Sequence, residues 1–168
     1  MKKDNKVVVI IAIIIIVLLA ALVIIGSKIR IKDYSNSNFK VSYDTTWKVK
    51  NDKDQLYLIH KKTGSELKIQ CKVLDSNYID TDLSELIDDI MYSITNQETN
   101  KDYVLINREV ANQEYSYLYE NNDKQALVKI RKKDAKVLII YYESDSKHYD
   151  IVLDSVDMIL DSLEFVFE

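Results

Sequence analysis

Four aspartates, Asp150, Asp154, Asp157 and Asp161, recur at i, i+4, i+7 and i+11, the spacing that aligns side chains along one face of an α-helix. Such a stripe can attract a basic partner or offer oxygens to a hard cation such as calcium. A straight line of carboxylates about 16 Å long does not wrap around an ion as a calcium loop does. A solvated face or a partner-binding face is therefore expected, and no metal ligand set is assigned. Tyr115, Tyr117 and Tyr119 form a second pattern, since alternate residues of a strand share a face, and Tyr141 and Tyr142 are expected on a neighbouring strand of the sheet. The chain holds 12 Tyr against 3 Phe. Tyrosine offers flat apolar area with a polar tip, suited to a peptide, glycan or protein surface, but it also packs well in strands beneath a helix. These seven residues, the three strand tyrosines and the four aspartates, are the candidate partner surface.

Other chemistry is scarce. His60 and His148 are distant in sequence and have no Ser or Cys nearby in a catalytic motif, so no triad is assigned. An envelope hydrolase with an unrecognised site is kept as the alternative reading, to be decided by whether a pocket gathers these histidines with carboxylates. Gly26 and Gly64 are the only glycines, which leaves no Gly-rich loop to cradle phosphate. Cys71 is the single cysteine, so intramolecular disulfides, redox pairs and Cys-based zinc sites are excluded. It alternates with Leu67, Ile69 and Val73, which predicts a buried, inert thiol. Lys129, Arg131 and Lys133 share a strand phase, with Lys132 and Lys136 beside them. They are read as protection of an exposed strand, or as a contact for anionic lipid or wall polymer. No cofactor is expected.

The elements that position these groups begin with an apolar run, Val7 to Ile25, that lacks charge, Gly and Pro and is flanked by Lys2, Lys3, Lys6 and by Lys28, Arg30, Lys32. As a helix it is about 29 Å long, close to the hydrocarbon thickness of a bilayer. It exceeds the usual apolar core of a secretory signal and is not followed by an Ala-x-Ala site, which favours a retained anchor. The expected organisation is a cytoplasmic stub at 1–6, a transmembrane helix at 7–26, a juxtamembrane linker at 27–37 and a domain at 38–168. The stub resembles the n-region of a signal-anchor, so the carboxyl-terminal domain is placed outside a single-pass cell membrane. Abundant Ile, Lys, Asn and Tyr, all encoded by A/T-rich codons, point to a low-GC Gram-positive bacterium. Removing Lys2, Lys3, Lys6 and Asp4 leaves 20 basic and 26 acidic residues, a net charge near −6. That sign argues against nucleic acid as a partner.

From Asn38 onward, alternation predicts strands at Phe39 to Tyr43, Trp47 to Lys50, Gln55 to Lys61 and Glu66 to Leu74, the last two joined by a hairpin at Lys62-Thr63-Gly64-Ser65. Leu83, Leu86, Ile87, Ile90, Met91 and Ile94 predict a helix over Asp82 to Gln97, with Asp82 and Glu85 at its start. Strands follow at Tyr103 to Val110, Glu114 to Glu120, Gln125 to Lys132 and Lys136 to Glu143. The last is apolar in both phases and is expected at the sheet centre. A second helix is predicted over Lys147 to Leu163, closed by Glu164-Phe165-Val166-Phe167 as a short apolar strand or tail. The fold class is α+β, with a mainly antiparallel sheet of about 6–8 strands flanked by two helices in an α-β-α arrangement.

Phe39-Lys40-Val41-Ser42-Tyr43 followed by Trp47-Lys48-Val49, the middle helix, the Tyr103 to Tyr119 hairpin and the closing Ile159-Leu160-Asp161-Ser162-Leu163-Glu164-Phe165 together resemble the PsbP-like family over Asn38 to Phe165. That family usually has a proline between the first strand and the tryptophan, where Asp44 stands here. The resemblance implies a small domain that binds a partner rather than performing chemistry, and it transfers no site residue. The expectation is a membrane-anchored, non-enzymatic accessory or binding module of a bacterial envelope, with a protein or envelope polymer as partner. A sensor role is weakened by the six-residue stub.

Overall fold

The computed structural model describes residues 14–16, 30–50, 55–98, 103–111 and 114–167. Nearly all of the Val7 to Ile25 run lies outside the described residues. Within it, residues 14–16 are helical and Ile14, Ile15 and Ile16 are exposed. Among the described residues, no helix is long and apolar enough to cross a membrane.

The chain forms β1 (Ile31–Ser35), β2 (Phe39–Asp44), β3 (Trp47–Val49), β4 (Gln55–His60), β5 (Glu66–Val73), a 3-10 turn (Ser76–Tyr78), α1 (Leu83–Glu98), β6 (Val104–Ala111), β7 (Glu114–Glu120), β8 (Lys124–Lys133), β9 (Lys136–Asp145), α2 (Ser146–Asp161) and β10 (Glu164–Phe165). Seven strands form an antiparallel sheet in the order β3-β4-β5-β9-β8-β7-β6, and β1-β2-β10 form a separate small sheet. The count of ten strands in two sheets exceeds the 6–8 expected for one. The addition is β1, inside the stretch read as a linker, while the two-residue β10 falls in the end read as a short strand or tail. Only Tyr34 of β1 reaches the core, while backbone pairing joins Ile31 to Asp44 and Ser35 to Lys40. A strand held by its ladder rather than by an apolar face leaves no alternation to read.

The large sheet is covered on both faces. Towards α2 and the small sheet, Leu56, Leu58, Leu67, Ile69, Leu138, Ile140 and Tyr142 meet Val152, Val156, Ile159 and Leu160 of α2, together with Phe39, Val41, Tyr43 and Trp47. Towards α1, Val128, Ile130, Val137, Ile139 and Tyr141 meet Leu83, Ile87, Ile90 and Ile94. β9 supplies both layers, and each residue from Val137 to Tyr142 is at most 5% exposed. Its central position follows from that double apolar phase. Polar contacts fix β3 and the small sheet against α2 and its carboxyl end. Trp47 Nε1 donates to Ser155 Oγ at 2.9 Å, the Ser42 N–H donates to Ser162 Oγ at 2.9 Å, and Ser162 Oγ donates to the Ser42 carbonyl at 3.1 Å.

Turn chemistry is local. Gly64 has φ +75° and donates its N–H to the His60 carbonyl at 2.9 Å. Asp134, at φ 51°, makes the two-residue turn between Lys133 and Lys136. Asp82 Oδ1 accepts the Ser84 N–H at 2.9 Å at the start of α1, and this hydrogen bond holds its carboxyl below the ordinary range.

Candidate functional site

The four aspartates of α2 are all exposed along the side of the helix that faces away from the core. Buried Tyr149, Val152, Val156, Ile159 and Leu160 occupy the opposite face. Beside Asp150 and Asp157 runs a groove of about 360 Å³ between α2 and the β6-β7-β8 wing of the large sheet, where α2 no longer covers the strands. Tyr149 and Leu153 line its helix side, and Asn107, Glu109, Ser116, Leu118, Gln125, Leu127 and Lys129 line its sheet side. Leu118 and Leu153 are half-buried. The walls thus combine an apolar floor with carboxylates from Asp150, Asp157 and Glu109. Lys129 is drawn to Glu114, with Nζ to Oε1 at 3.5 Å. This arrangement suits an apolar side chain flanked by cationic groups.

The tyrosine stripe lies on the other face, and β8 separates its strand from Tyr141 and Tyr142 of β9, which are therefore not on a neighbouring strand. Tyr115 is 7% and Tyr117 6% exposed, and both sit in the layer beneath α1, with Tyr119 half-buried beside them. Their rings stack at 6.4 Å along β7, and the Arg108 guanidinium caps Tyr115 and Tyr117 at 5.5 and 5.6 Å. Burial pushes the Tyr117 and Tyr119 hydroxyls up in pKa. The stripe packs as core beneath α1 rather than presenting an open surface. Strand alternation placed the three on one face but could not say which face a helix covers.

Cys71 is half-buried rather than fully buried, because β5 runs out from under α2 towards Val73, which is 57% exposed. Burial raises its pKa, so it stays a thiol. The cations of β8 are engaged. Arg131 pairs with Glu114 and donates to the Leu160 carbonyl at 3.3 Å, Lys132 donates to the Ile79 carbonyl at 2.7 Å, and Lys136, at the start of β9, donates to the carbonyls of Ser37 and Val166. β8 is also an interior strand, flanked by β7 and β9, so its lysines guard no edge.

Two polar networks escaped the sequence reading. His60 Nδ1 meets Thr63 Oγ1 at 2.8 Å, Thr63 Oγ1 meets Ser65 Oγ at 2.7 Å, and Ser65 Oγ meets Ser144 Oγ at 2.8 Å. This hydroxyl chain ties the β4-β5 turn to the end of β9. Burial lowers the His60 pKa, and Lys62 and His148 add to the effect while Asp44 opposes it. Ser65 and Ser144 are 2% and 3% exposed, which shields both hydroxyls from any substrate. In the second network the Glu143 carboxylate, also buried, accepts from Tyr141 Oη at 2.6 Å and pairs with Lys124. Neither Glu143 nor the serines line the α2 groove or the two smaller hollows, one of about 200 Å³ beside α1 and one of about 150 Å³ at Asp80 to Leu83. Among the described residues, no cluster of three or more His, Cys, Asp or Glu is arranged to hold a metal ion.

The architecture matches a solved structure over most of its length. The solution structure of cyanobacterial PsbP (CyanoP) from Synechocystis superposes with a TM-score of 0.62 at 15% identity, covering 80% of this chain and 92% of that one. The fold is PsbP-like. Two further solved structures overlap the PsbP-like domain with less similarity. One is LpqN, involved in cell envelope biogenesis of Mycobacterium tuberculosis, at a TM-score of 0.49, 7% identity and coverage of 83% of this chain and 92% of that one. The other is a Bacteroides thetaiotaomicron protein at a TM-score of 0.48, 10% identity and coverage of 77% and 46%. No protein-family model and no curated protein matches the sequence. At these identities the likeness establishes the fold, and the exposed surface of the PsbP-like domain is this chain's own.

Proposed function

We propose that the chain is a membrane-anchored, non-enzymatic accessory module of a bacterial cell envelope, whose PsbP-like domain stands outside the membrane and binds a basic protein segment in the α2 groove. The observation that carries this reading is the exposed row Asp150, Asp154, Asp157 and Asp161 beside a groove floored by Leu118 and Leu153. Carboxylates on an exposed helix steer association and set which partner is accepted, while a central apolar pocket supplies most of the affinity. The anchor rests on the length and composition of the Val7 to Ile25 run. The acidic balance of the exported part fits a cationic protein partner and disfavours nucleic acid.

The test is retention of envelope proteins by the full chain in detergent, compared with the Asp154→Asn/Asp157→Asn variant. A groove ligand is expected to elute with added salt, because exposed charge pairs are screened, and to be lost on the double variant. Thermal midpoints of the two proteins should agree within about 2 °C, since surface substitutions without partners change stability little. Retention that survives both salt and the double substitution would overturn the groove as the contact.

A further inference from the structure

We propose that the end of the domain carrying Arg30, Lys32, Lys61 and Lys62 rests on the anionic headgroups of the chain's own membrane. The inference builds on the anchored reading above and adds a fixed orientation to it. β1 is not a free linker. Its five residues pair with β2 from Ile31 to Ser35, and the Arg30 N–H reaches Thr45 Oγ1 at 3.4 Å. Only Gly26 to Ile29 separate the apolar run from this docked backbone, so at full extension Arg30 lies within about 18 Å of Ile25. Lengthening the tether would cost the β1-β2 ladder.

The surface brought to the membrane in this way is basic. Thr45 joins two of its cations, since its hydroxyl takes the Arg30 N–H and its carbonyl takes Lys61 Nζ. The Lys61 N–H also donates to the Thr46 carbonyl at 2.9 Å, which fixes the β4-β5 turn beside the β2-β3 turn. Arg30, Lys32, Lys61 and Lys62 are all exposed. The nearby carboxylates Asp44 and Asp33 accept hydrogen bonds from Thr46 and Ser42 but keep their charge, so four cations against these two leave this end net positive. The exported part as a whole carries a charge near −6, from 20 basic and 26 acidic residues. An anionic surface therefore repels the rest of the domain and accepts this end, which selects one orientation.

The test uses the full chain in nanodiscs of phosphatidylcholine alone and with phosphatidylglycerol, read by amide hydrogen exchange. In the anionic discs, exchange at Thr45 to Trp47 and at Lys61 to Gly64 is expected to slow about threefold or more, and the slowing should vanish at high salt. It should also vanish in Lys32→Glu/Lys62→Glu, whose altered side chains lie at exposed positions, with unchanged β9 exchange confirming the fold. Flotation with vesicles of both compositions separates the two readings. A chain that floats with both vesicle types but gives identical exchange in both discs overturns the docking and leaves the anchor standing. A chain that floats with neither overturns both. Slowing that persists at high salt or in neutral discs overturns headgroup charge as its cause.

Discussion

Glu143 keeps a carboxylate at 6% exposure on the α1 side of β9, held by Tyr141 Oη and Lys124 Nζ. The hydrogen bond to Glu143 is the main reason that Lys124 is raised in pKa. The Lys124 side chain remains 37% exposed, so the pair is worth less than a fully buried one. Lys124→Met removes the cation and leaves the carboxylate its Tyr141 hydrogen bond, and a loss of about 2 kcal/mol is expected in urea denaturation once solvent screening is allowed for. Glu143→Gln leaves Lys124 near water and should cost about 1 kcal/mol. The double variant should cost less than the sum, whereas additivity within about 0.5 kcal/mol would show that the two groups do not support each other. Nothing in the sequence marks this pair. Lys124 opens β8 and Glu143 lies near the close of β9, and only the Ala126–Glu143 register places them together. The aspartate stripe was legible because helical spacing is a local property. Ser144 was not, since its partner Ser65 lies 79 residues away.

Elements with a strong apolar period were legible, and those held by backbone pairing were not. α1, α2 and β9 bury apolar side chains at their own periodicity, whereas β1 buries none of its five residues fully. β6 shows the opposite case. Its strand is predicted and it carries the apolar Val104, Leu105, Ile106 and Val110, yet all eight residues are exposed because the strand is the sheet's edge and lies outside both helices. A register shift between Leu105 and Asn107 interrupts its pairing with β7, a device that blunts an edge against further pairing. The β4-β5 hairpin was legible from Gly64, and its backbone explains why. At φ +75°, a Cβ would meet nothing within 4 Å, so any penalty for a side chain comes from backbone strain alone. Gly64→Ala is expected to cost about 1 kcal/mol, and Gly64→Asn less, because asparagine tolerates the left-handed region. Chemical denaturation of both variants checks the ranking, and equal stability of wild type and Gly64→Ala would show that the turn relaxes to negative φ.

At the scale of the molecule, an acidic chain with many tyrosines draws part of its core from residues that carry a titratable hydroxyl. Tyr43, Tyr117, Tyr119, Tyr142 and Tyr149 all have pKa values raised above 10.0, each chiefly by burial. A raised value means that the native state prefers the neutral phenol, so this contribution to stability is fully present below pH 10.0 and drains away once the unfolded chain ionises above it. Lys124 acts in the same direction, because its raised pKa favours the protonated native state until pH passes the unfolded value of 10.5. Each such group contributes at most about 1.4 kcal/mol per pH unit, so several together outweigh the usual net stability of a small domain within a few units. The expected profile is therefore a thermal midpoint nearly flat from about pH 7 to 9, with a steep fall above about pH 10. The share of the tyrosinate absorbance that belongs to the buried hydroxyls should rise together with the loss of far-ultraviolet circular dichroism through that fall, since those hydroxyls ionise only as the sheet opens, whereas Tyr78 and Tyr92 are exposed in the folded chain. If the absorbance of most tyrosines rose near pH 10.0 while the dichroism stayed native, the phenols would have to be reached by water in the folded state, contrary to their place in the two layers around β9.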